Sequence, residues 1–258
     1  TMFAFAYDVF LGDFSLYSLK SHIPKGEIYT SAYNFVAGSF GGELGGERGG
    51  IFGNLKFFSS GNMERTDEDG QVLGSFSSNF IKLSGGREFK VGNFYGILGV
   101  GLSYVSLDPK NVGLGSSLFS RIFTIREFKG FNVEGYLLLD NIGYEIKPIG
   151  LSRGILPYKV SLGGKVFGDR SSALLEIGKY YMGNYVKVGG ELGVNILNLG
   201  FSFDSRVRNL NGGYGLDFLS GLSIFGGVEY KNLKFEYSYT FMGLFGSRNI
   251  FQISYRLN

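Results

Sequence analysis

The sequence predicts an all-β fold: a single transmembrane antiparallel β-barrel domain over residues 1–258, with about fourteen strands and an uncertainty of roughly two either way. Three observations predict it. The first is composition. Glycine is 43 of 258 residues, phenylalanine and tyrosine are 26 and 17, proline is 4, and charged residues are 18%. Soluble domains run near 25% charged, and glycine costs a helix about 1 kcal/mol per position relative to alanine. The second is a period of two. Leu233, Phe235, Tyr237, Tyr239 and Phe241 alternate with Lys234, Glu236, Ser238 and Thr240; after a turn, Phe251, Ile253, Tyr255 and Leu257 alternate with Gln252, Ser254 and Arg256. Successive side chains of a strand point to opposite faces, so this is a hairpin with one apolar and one polar face. The third is an asymmetry between short and long connections.

The strands read, in order, as 3–21, 28–40, 51–60, 71–83, 89–107, 118–128, 131–144, 156–167, 173–181, 185–194, 199–207, 214–230, 233–241 and 249–257. The first is bent at Gly12, and the fifth is kinked at Gly92 and Asn93. Residues 41–50, with six glycines, read as a flexible connection, 61–70 as an acidic loop and 84–87 as a turn. Strands average roughly ten residues, the length a tilted strand needs to cross a bilayer. With the N-terminus on the periplasmic side, Lys129 and Gly130, residues 168–171, Asn198, and Lys231 and Asn232 make short periplasmic connections. Residues 61–70, 108–117 and 145–154 make longer outer loops, and a tight turn at Gly183 and Asn184 is the outward exception. The last strand closes the barrel on the first, near Phe3 to Leu16.

The longest uncharged run, Val91 to Leu107, is studded with glycine, asparagine and serine, and no stretch reads as a membrane helix. A closed barrel is the other structure that satisfies every backbone group inside a bilayer. A soluble sandwich or a propeller would alternate too. The barrel is favoured because tyrosine and phenylalanine gather near strand ends and the polar faces mix both charges with glycine and serine. The lumen-facing candidates are Glu134, Lys159, Lys165, Lys187, Glu191, Asp204, Arg206, Glu229, Lys234, Glu236, Gln252 and Arg256. The candidate residues of the acidic extracellular loop are Glu64, Arg65, Asp67, Glu68 and Asp69.

Catalytic constellations are missing. His22, the single histidine, sits beside Pro24 in a turn and reads as an exposed loop residue. With no cysteine and one histidine there is no thiolate or histidine-rich metal cluster. Asp67 and Asp69 alternate as calcium ligands do, but the twelfth position counted from Asp67 is Ser78, so the loop reads as solvated. Gly150, Ser152 and Gly154 match the letters of a nucleophile elbow without its strand–turn–helix context or a downstream histidine. The net charge of +3 is interspersed, which excludes a nucleic-acid stripe. Thr1 follows no signal-like segment and reads as the start of a processed or trimmed chain.

Several stretches resemble the PorV/PorQ-type outer-membrane proteins, which are similar to FadL-type fourteen-stranded barrels. They are Phe57 to Gly70 continued by Gly74 to Ser77, Phe131 to Gly143, Leu156 to Gly163, and Phe245 to Tyr255 closing on Arg256 and Leu257. The likeness runs in order from about Tyr33 to the end. The Asn-Pro-Ala-Gly segment of that family's N-terminal plug has no counterpart, and the chain ends on Asn258 where the family's insertion signal ends on an aromatic.

The expectation is a non-enzymatic barrel in the outer membrane of a diderm bacterium, in contact with outer-membrane lipid and with no cofactor. It would act as a channel or passive uptake route for small solutes, and the resemblance adds hydrophobic solutes to the candidates. The alternative, implied by the PorV-like resemblance, is a scaffold whose extracellular loops bind a secreted or surface-layer protein. The bulky exterior could also meet a second copy in a homo-oligomer.

Overall fold

The alternation of the closing hairpin is realised as two adjacent strands, and the same pattern repeated around the chain builds a closed wall. The computed structural model describes residues 26–35, 39–66, 69–106, 111–149, 154–208, 219–243 and 246–257. In chain order the first strands are β1 (Glu27–Phe35), β2 (Phe40–Arg48), β3 (Ile51–Ser59), β4 (Met63–Thr66), β5 (Val72–Phe76), β6 (Asn79–Val91), β7 (Phe94–Ser106) and β8 (Val112–Phe128). There follow β9 (Phe131–Lys147), β10 (Lys159–Phe167), β11 (Ser171–Tyr180), β12 (Gly183–Val194), β13 (Leu197–Asp204), a helical turn α1 (Ser205–Arg208), β14 (Leu222–Tyr230), β15 (Leu233–Phe241) and β16 (Ser247–Arg256). Fourteen strands form the barrel, each antiparallel to its neighbours; β4 and β5 form a separate hairpin.

Register offsets accumulate to about fifteen residues around the wall. With strands about 4.8 Å apart, that implies a tilt near 35–40° and a backbone diameter of roughly 25 Å.

Six connections at one end are two or three residues long: 49–50, 92–93, 129–130, 168–170, 195–196 and 231–232. Two of these turns hold both central residues at positive φ, Gly49 (62°) with Gly50 (78°) and Lys129 (49°) with Gly130 (83°). That is the type I′ geometry whose twist matches antiparallel strands. Apart from the tight 181–182 turn, the opposite end carries longer connections, including 60–78, which contains the β4–β5 hairpin, and 205–221.

The wall is apolar outside and polar inside. Leu44, Leu55, Leu83, Leu102, Leu162, Leu175, Ile224 and Phe235 are exposed on the exterior, while Glu134, Lys159, Glu176, Lys187, Glu236 and Gln252 are buried within. Exposed aromatics gather towards both rims. Phe94, Phe128, Phe131, Tyr230 and Tyr255 lie at the short-turn end, and Phe40, Tyr104, Tyr144 and Tyr181 at the other.

The strand count of fourteen agrees with the expectation, although two of the strands differ. The predicted strand 3–21 lies outside the described residues. Its expected pairing with the last strand is corrected: β16 pairs with β1 on one side, Ile28 opposite Tyr255, and with β15 on the other, so both of its edges are taken.

The segment read as a flexible connection is β2, paired along its length with β1 and β3. Its glycines are spaces for rings. Tyr29 stands directly opposite Gly45, Tyr33 opposite Gly41 and Phe57 opposite Gly42. A Cβ on any of these three glycines would lie 2.2–2.7 Å from the facing ring. Close approach by a neighbour is one of the reasons glycine occurs inside strands.

Other boundaries move for similar reasons. Residues 84–87 lie inside β6, with Gly86 under the Phe52 ring, rather than in a turn. Gly92 and Asn93 are a turn, not a kink. The acidic loop is partly strand, since Met63 to Thr66 pairs with Val72 to Phe76. Strand pairing also claims Val112 to Ser117 and Glu145 to Lys147 from the loops expected there. Asn141, with φ of 55°, marks an irregularity in β9 near the bulge at Leu118 to Ser120.

Candidate functional site

The candidate site is the inner wall, where three polar clusters lie on neighbouring strands. The first joins β1, β2 and β3. The Tyr29 hydroxyl donates to Glu43 Oε1 at 2.6 Å, Asn54 Nδ2 donates to the Tyr29 hydroxyl at 2.5 Å and also to Glu43, and Lys56 Nζ lies 3.5 Å from Glu43 Oε2. Glu47, lower on β2, accepts from the backbone N–H of Gly26 at 2.5 Å and of Gly50 at 2.6 Å, which ties the start of β1 to the first short turn.

The second cluster spans β8 to β13. Arg121 bridges Glu134 on the next strand, and its guanidinium lies over the rings of Phe123 and Tyr136, 5.1 and 4.5 Å from their centroids. Tyr136 donates its hydroxyl proton to Glu176 Oε2 at 2.7 Å, Tyr185 donates to Glu176 Oε1 at 2.5 Å, and Lys159 Nζ is 3.5 Å from the same carboxylate. Glu176 is thus held from both flanks, by Tyr136 on β9 and Lys159 on β10, and by Tyr185 on β12. Arg206 lies over the Tyr185 ring at 4.7 Å and pairs with Asp204 at 2.6 Å. An ion pair so deeply buried is held by geometry and surrounding hydrogen bonds, because taking both charges out of water costs several kcal/mol each.

The third cluster runs along β12 to β16. Lys234 Nζ lies 3.0 Å from Glu236 and 3.7 Å from Glu191, and Gln252 Nε2 donates to Glu236 Oε2 at 3.4 Å. At the short-turn mouth Arg256 lies 3.4 Å from Glu229.

All twelve lumen candidates therefore lie on the inner side. Lys165 faces Glu134 in register, and Lys187 faces both Glu176 and Asp204. One assignment changes: Arg206 is on α1, not on a strand. Asp204 ends β13 by accepting from the Arg206 backbone N–H at 3.0 Å, as a helix cap does. Of the loop candidates, Glu64 and Arg65 sit on β4, Glu64 and Asp69 are exposed, and Asp67 and Glu68 lie outside the described residues.

Inner charged residues not among the candidates include Glu43, Glu47, Lys56, Lys82, Arg121, Glu176 and Arg248, and, at the short-turn rim, Glu27, Glu88, Lys90 and Glu127. Glu43 and Glu47 fall at even spacing within β2. Reading the glycines around them as a linker hid that period.

The inner wall also has an apolar sector. Phe52 and Phe119 meet edge to face at 5.4 Å across Gly86 and Gly99, and Phe58, Phe80 and Val105 form a buried row nearer the long-connection end.

No family model matches the sequence, and no curated protein does. Among solved structures, a deletion mutant of TodX, a monoaromatic hydrocarbon channel, is similar with a TM-score of 0.51 at 10% identity, covering 90% of this chain and 89% of that one. A mutant of the Rh. blastica porin is similar with a TM-score of 0.38 at 10% identity, covering 89% and 98%; a score that low carries no weight here. The TodX likeness is one of fold. A closed fourteen-stranded barrel fits the FadL-related fold that the sequence resemblance implied.

Proposed function

We propose that this protein is an integral outer-membrane barrel of a diderm bacterium that serves as a channel or passive uptake route for small solutes. The observation that carries the reading is the inverted wall: exposed leucine, isoleucine, valine and aromatics outside, buried charges and hydroxyls inside. Monomeric soluble proteins rarely expose an apolar patch beyond a few hundred Å², whereas a band flanked by aromatic girdles suits lipid. The short turns would face the periplasm and the long connections the exterior. The inner wall suits solutes with both polar and apolar parts. Its polar clusters offer charge and hydrogen bonds, and Phe52 on β3 with Phe119 on β8 offers aromatic surface. TodX, a hydrocarbon channel, supports including hydrophobic solutes, and a PorV/PorQ-like membership agrees with the motifs.

Planar-bilayer recording and liposome swelling test this reading. Discrete conductance steps and swelling with small solutes are expected; a detergent-stable, correctly folded barrel that stays silent in both would overturn it. The scaffold reading rests on a different observation, the β4–β5 hairpin. Val72 and Leu73 are more than half exposed there, and the ribbon has only two strands. Such ribbons are marginal alone. Pull-down of a surface protein that is lost on deleting 61–70 would favour that reading.

A further inference from the structure

At the short-turn rim acids predominate on the inner side and bases on the outer side. Arg48, Arg87 and Arg126 point outward and are exposed, and Lys129, Arg170 and Lys231 are exposed at the turns. Facing inward at the same rim are the acids Glu27, Glu47, Glu88, Glu127 and Glu229, together with the bases Lys90 and Arg256. Of the first six bases, five lie on the outer side, where the described residues place one acid, Asp169; Arg170 continues β11 opposite the inward-facing Gly193. The other end shows no such excess: Glu64 and Asp69 on its hairpin stand against Lys147 and Lys179. Salt bridges among the described residues engage none of the six bases. Two of them lie against girdle rings instead, Lys129 at 5.4 Å from Phe128 and Lys231 at 5.3 Å from Tyr230.

One locus is more defined than the rest. Ile51 is the cross-strand partner of Arg48 on one side and of Arg87 on the other. Two strand spacings separate the arginines, roughly 10 Å, so their guanidinium groups can close on one anion above an apolar side chain. Guanidinium groups bind phosphate oxygens bidentately and are easily desolvated.

We propose that the outward face of this rim, centred on Arg48 and Arg87, binds the phosphodiester of an anionic phospholipid whose acyl chains lie along the apolar wall. The proposal rests on the membrane reading above. Charge complementarity and continuity with the apolar exterior both point to lipid rather than to a free anion: the site opens onto Ile51, Leu98 and Phe94, not into a polar pocket. It also assigns the short-turn end to a phospholipid leaflet. Each basic side chain near an anionic lipid surface adds attraction that salt screens within about a Debye length.

The test uses the full-length protein in neutral detergent, with heat-modifiable gel mobility as the readout of the folded barrel. Phosphatidylglycerol and phosphatidylcholine of identical chains are added in parallel. Phosphatidylglycerol should raise the unfolding midpoint by about 4 °C or more beyond phosphatidylcholine, with the difference shrinking in high salt. Arg48→Gln/Arg87→Gln should fold to the same heat-modifiable form yet lose at least half of the increment, while Lys147→Gln/Lys179→Gln at the far end should keep it. Equal shifts from the two lipids, an equal shift from inorganic phosphate alone, or an undiminished increment in the arginine variant would each overturn the proposal. Flotation with liposomes is read separately. A barrel that does not float refutes membrane insertion itself, whereas one that floats without preferring phosphatidylglycerol refutes only this site.

Discussion

Removing the Glu176 carboxylate should destabilise the barrel more than removing any single exterior side chain. The structure sets the magnitude. Glu176 is buried, accepts from the hydroxyls of Tyr136 and Tyr185, and pairs with Lys159 at 3.5 Å. In Glu176→Ala the two hydroxyls lose an ionised acceptor, each such bond being worth about 1.5–3 kcal/mol, and the lysine is left as a buried charge without this partner. Breaking a buried pair by deleting one member costs about 3–5 kcal/mol in total. We therefore expect a loss of about 4 kcal/mol, a fall of roughly 8–16 °C in the gel-shift midpoint.

Glu176→Gln keeps the shape and an acceptor and should lose about half as much. The decisive comparison is the double variant. Lys159→Met in the Glu176→Ala background removes the buried charge that has lost the Glu176 carboxylate, so it should recover part of the loss, whereas Lys159→Met alone should be destabilising. Because the chain has no tryptophan, unfolding is followed by gel mobility and far-ultraviolet circular dichroism. If Glu176→Ala shifted the midpoint by no more than Leu175→Ala, whose side chain is exposed on the exterior, or if Lys159→Met deepened the defect, the clamp would not be holding β9 to β12 together.

Gly163→Val should be among the most damaging exterior-silent changes, because a Cβ there would meet the Tyr136 ring at 2.1 Å. Its cost, about 1–3 kcal/mol or more alone, should be much smaller in a Tyr136→Ala background, where that ring is absent, measured by the same midpoint. Lys165→Glu, on a partly exposed inner position, should shift the reversal potential towards cations in asymmetric salt; an unchanged value would place Lys165 off the conducting path. Deleting 63–76 should leave the barrel midpoint within about 1 kcal/mol equivalent of the parent, since the hairpin lies outside the barrel sheet.

The exterior was the most legible part of the fold. On β15, Leu233 to Phe241 alternate without exception, and exterior and interior positions follow at once from parity. Interior positions on β10 and β12 were legible for the same reason, as Lys159 with Lys165 and Lys187 with Glu191 show. Pairing was less legible. Glu43, Tyr29 and Asn54 are far apart in sequence, and only the register of β1, β2 and β3 brings them together. Lys234 reaching Glu191 likewise depends on β13 and β14 lying between their strands. Nor does a period of two report where pairing stops. Val112 to Ser117 contains glycine and serine suited to a loop, yet it continues β8 because β7 supplies partners up to Ser106.

β2 shows why glycine content misleads when it is read locally. In an isolated segment, six glycines among ten residues favour a flexible connection on entropic grounds, since glycine loses the most freedom on ordering. In this barrel the ordering is compensated across the strand pair, where a ring fills the space a Cβ would have taken. The arrangement recurs as a direct cross-strand pair elsewhere: Phe119 with Gly99, Phe89 with Gly96, Tyr136 with Gly163, and Phe225 with Gly200. At each of those four glycines an added Cβ would fall within 2.2 Å of the ring. High glycine and high aromatic content are thus, in part, one feature seen from two strands. β2 lies beside β1, the strand through which the wall closes onto β16. There Tyr29 packs over Gly45 while its hydroxyl donates to Glu43 on the same strand, so the ring and the polar bond hold the same pair of strands in one register. Leucine at Gly45 should therefore expel the ring and break the Glu43 hydrogen bond together, and a barrel that tolerated it would show that closure does not depend on this fit.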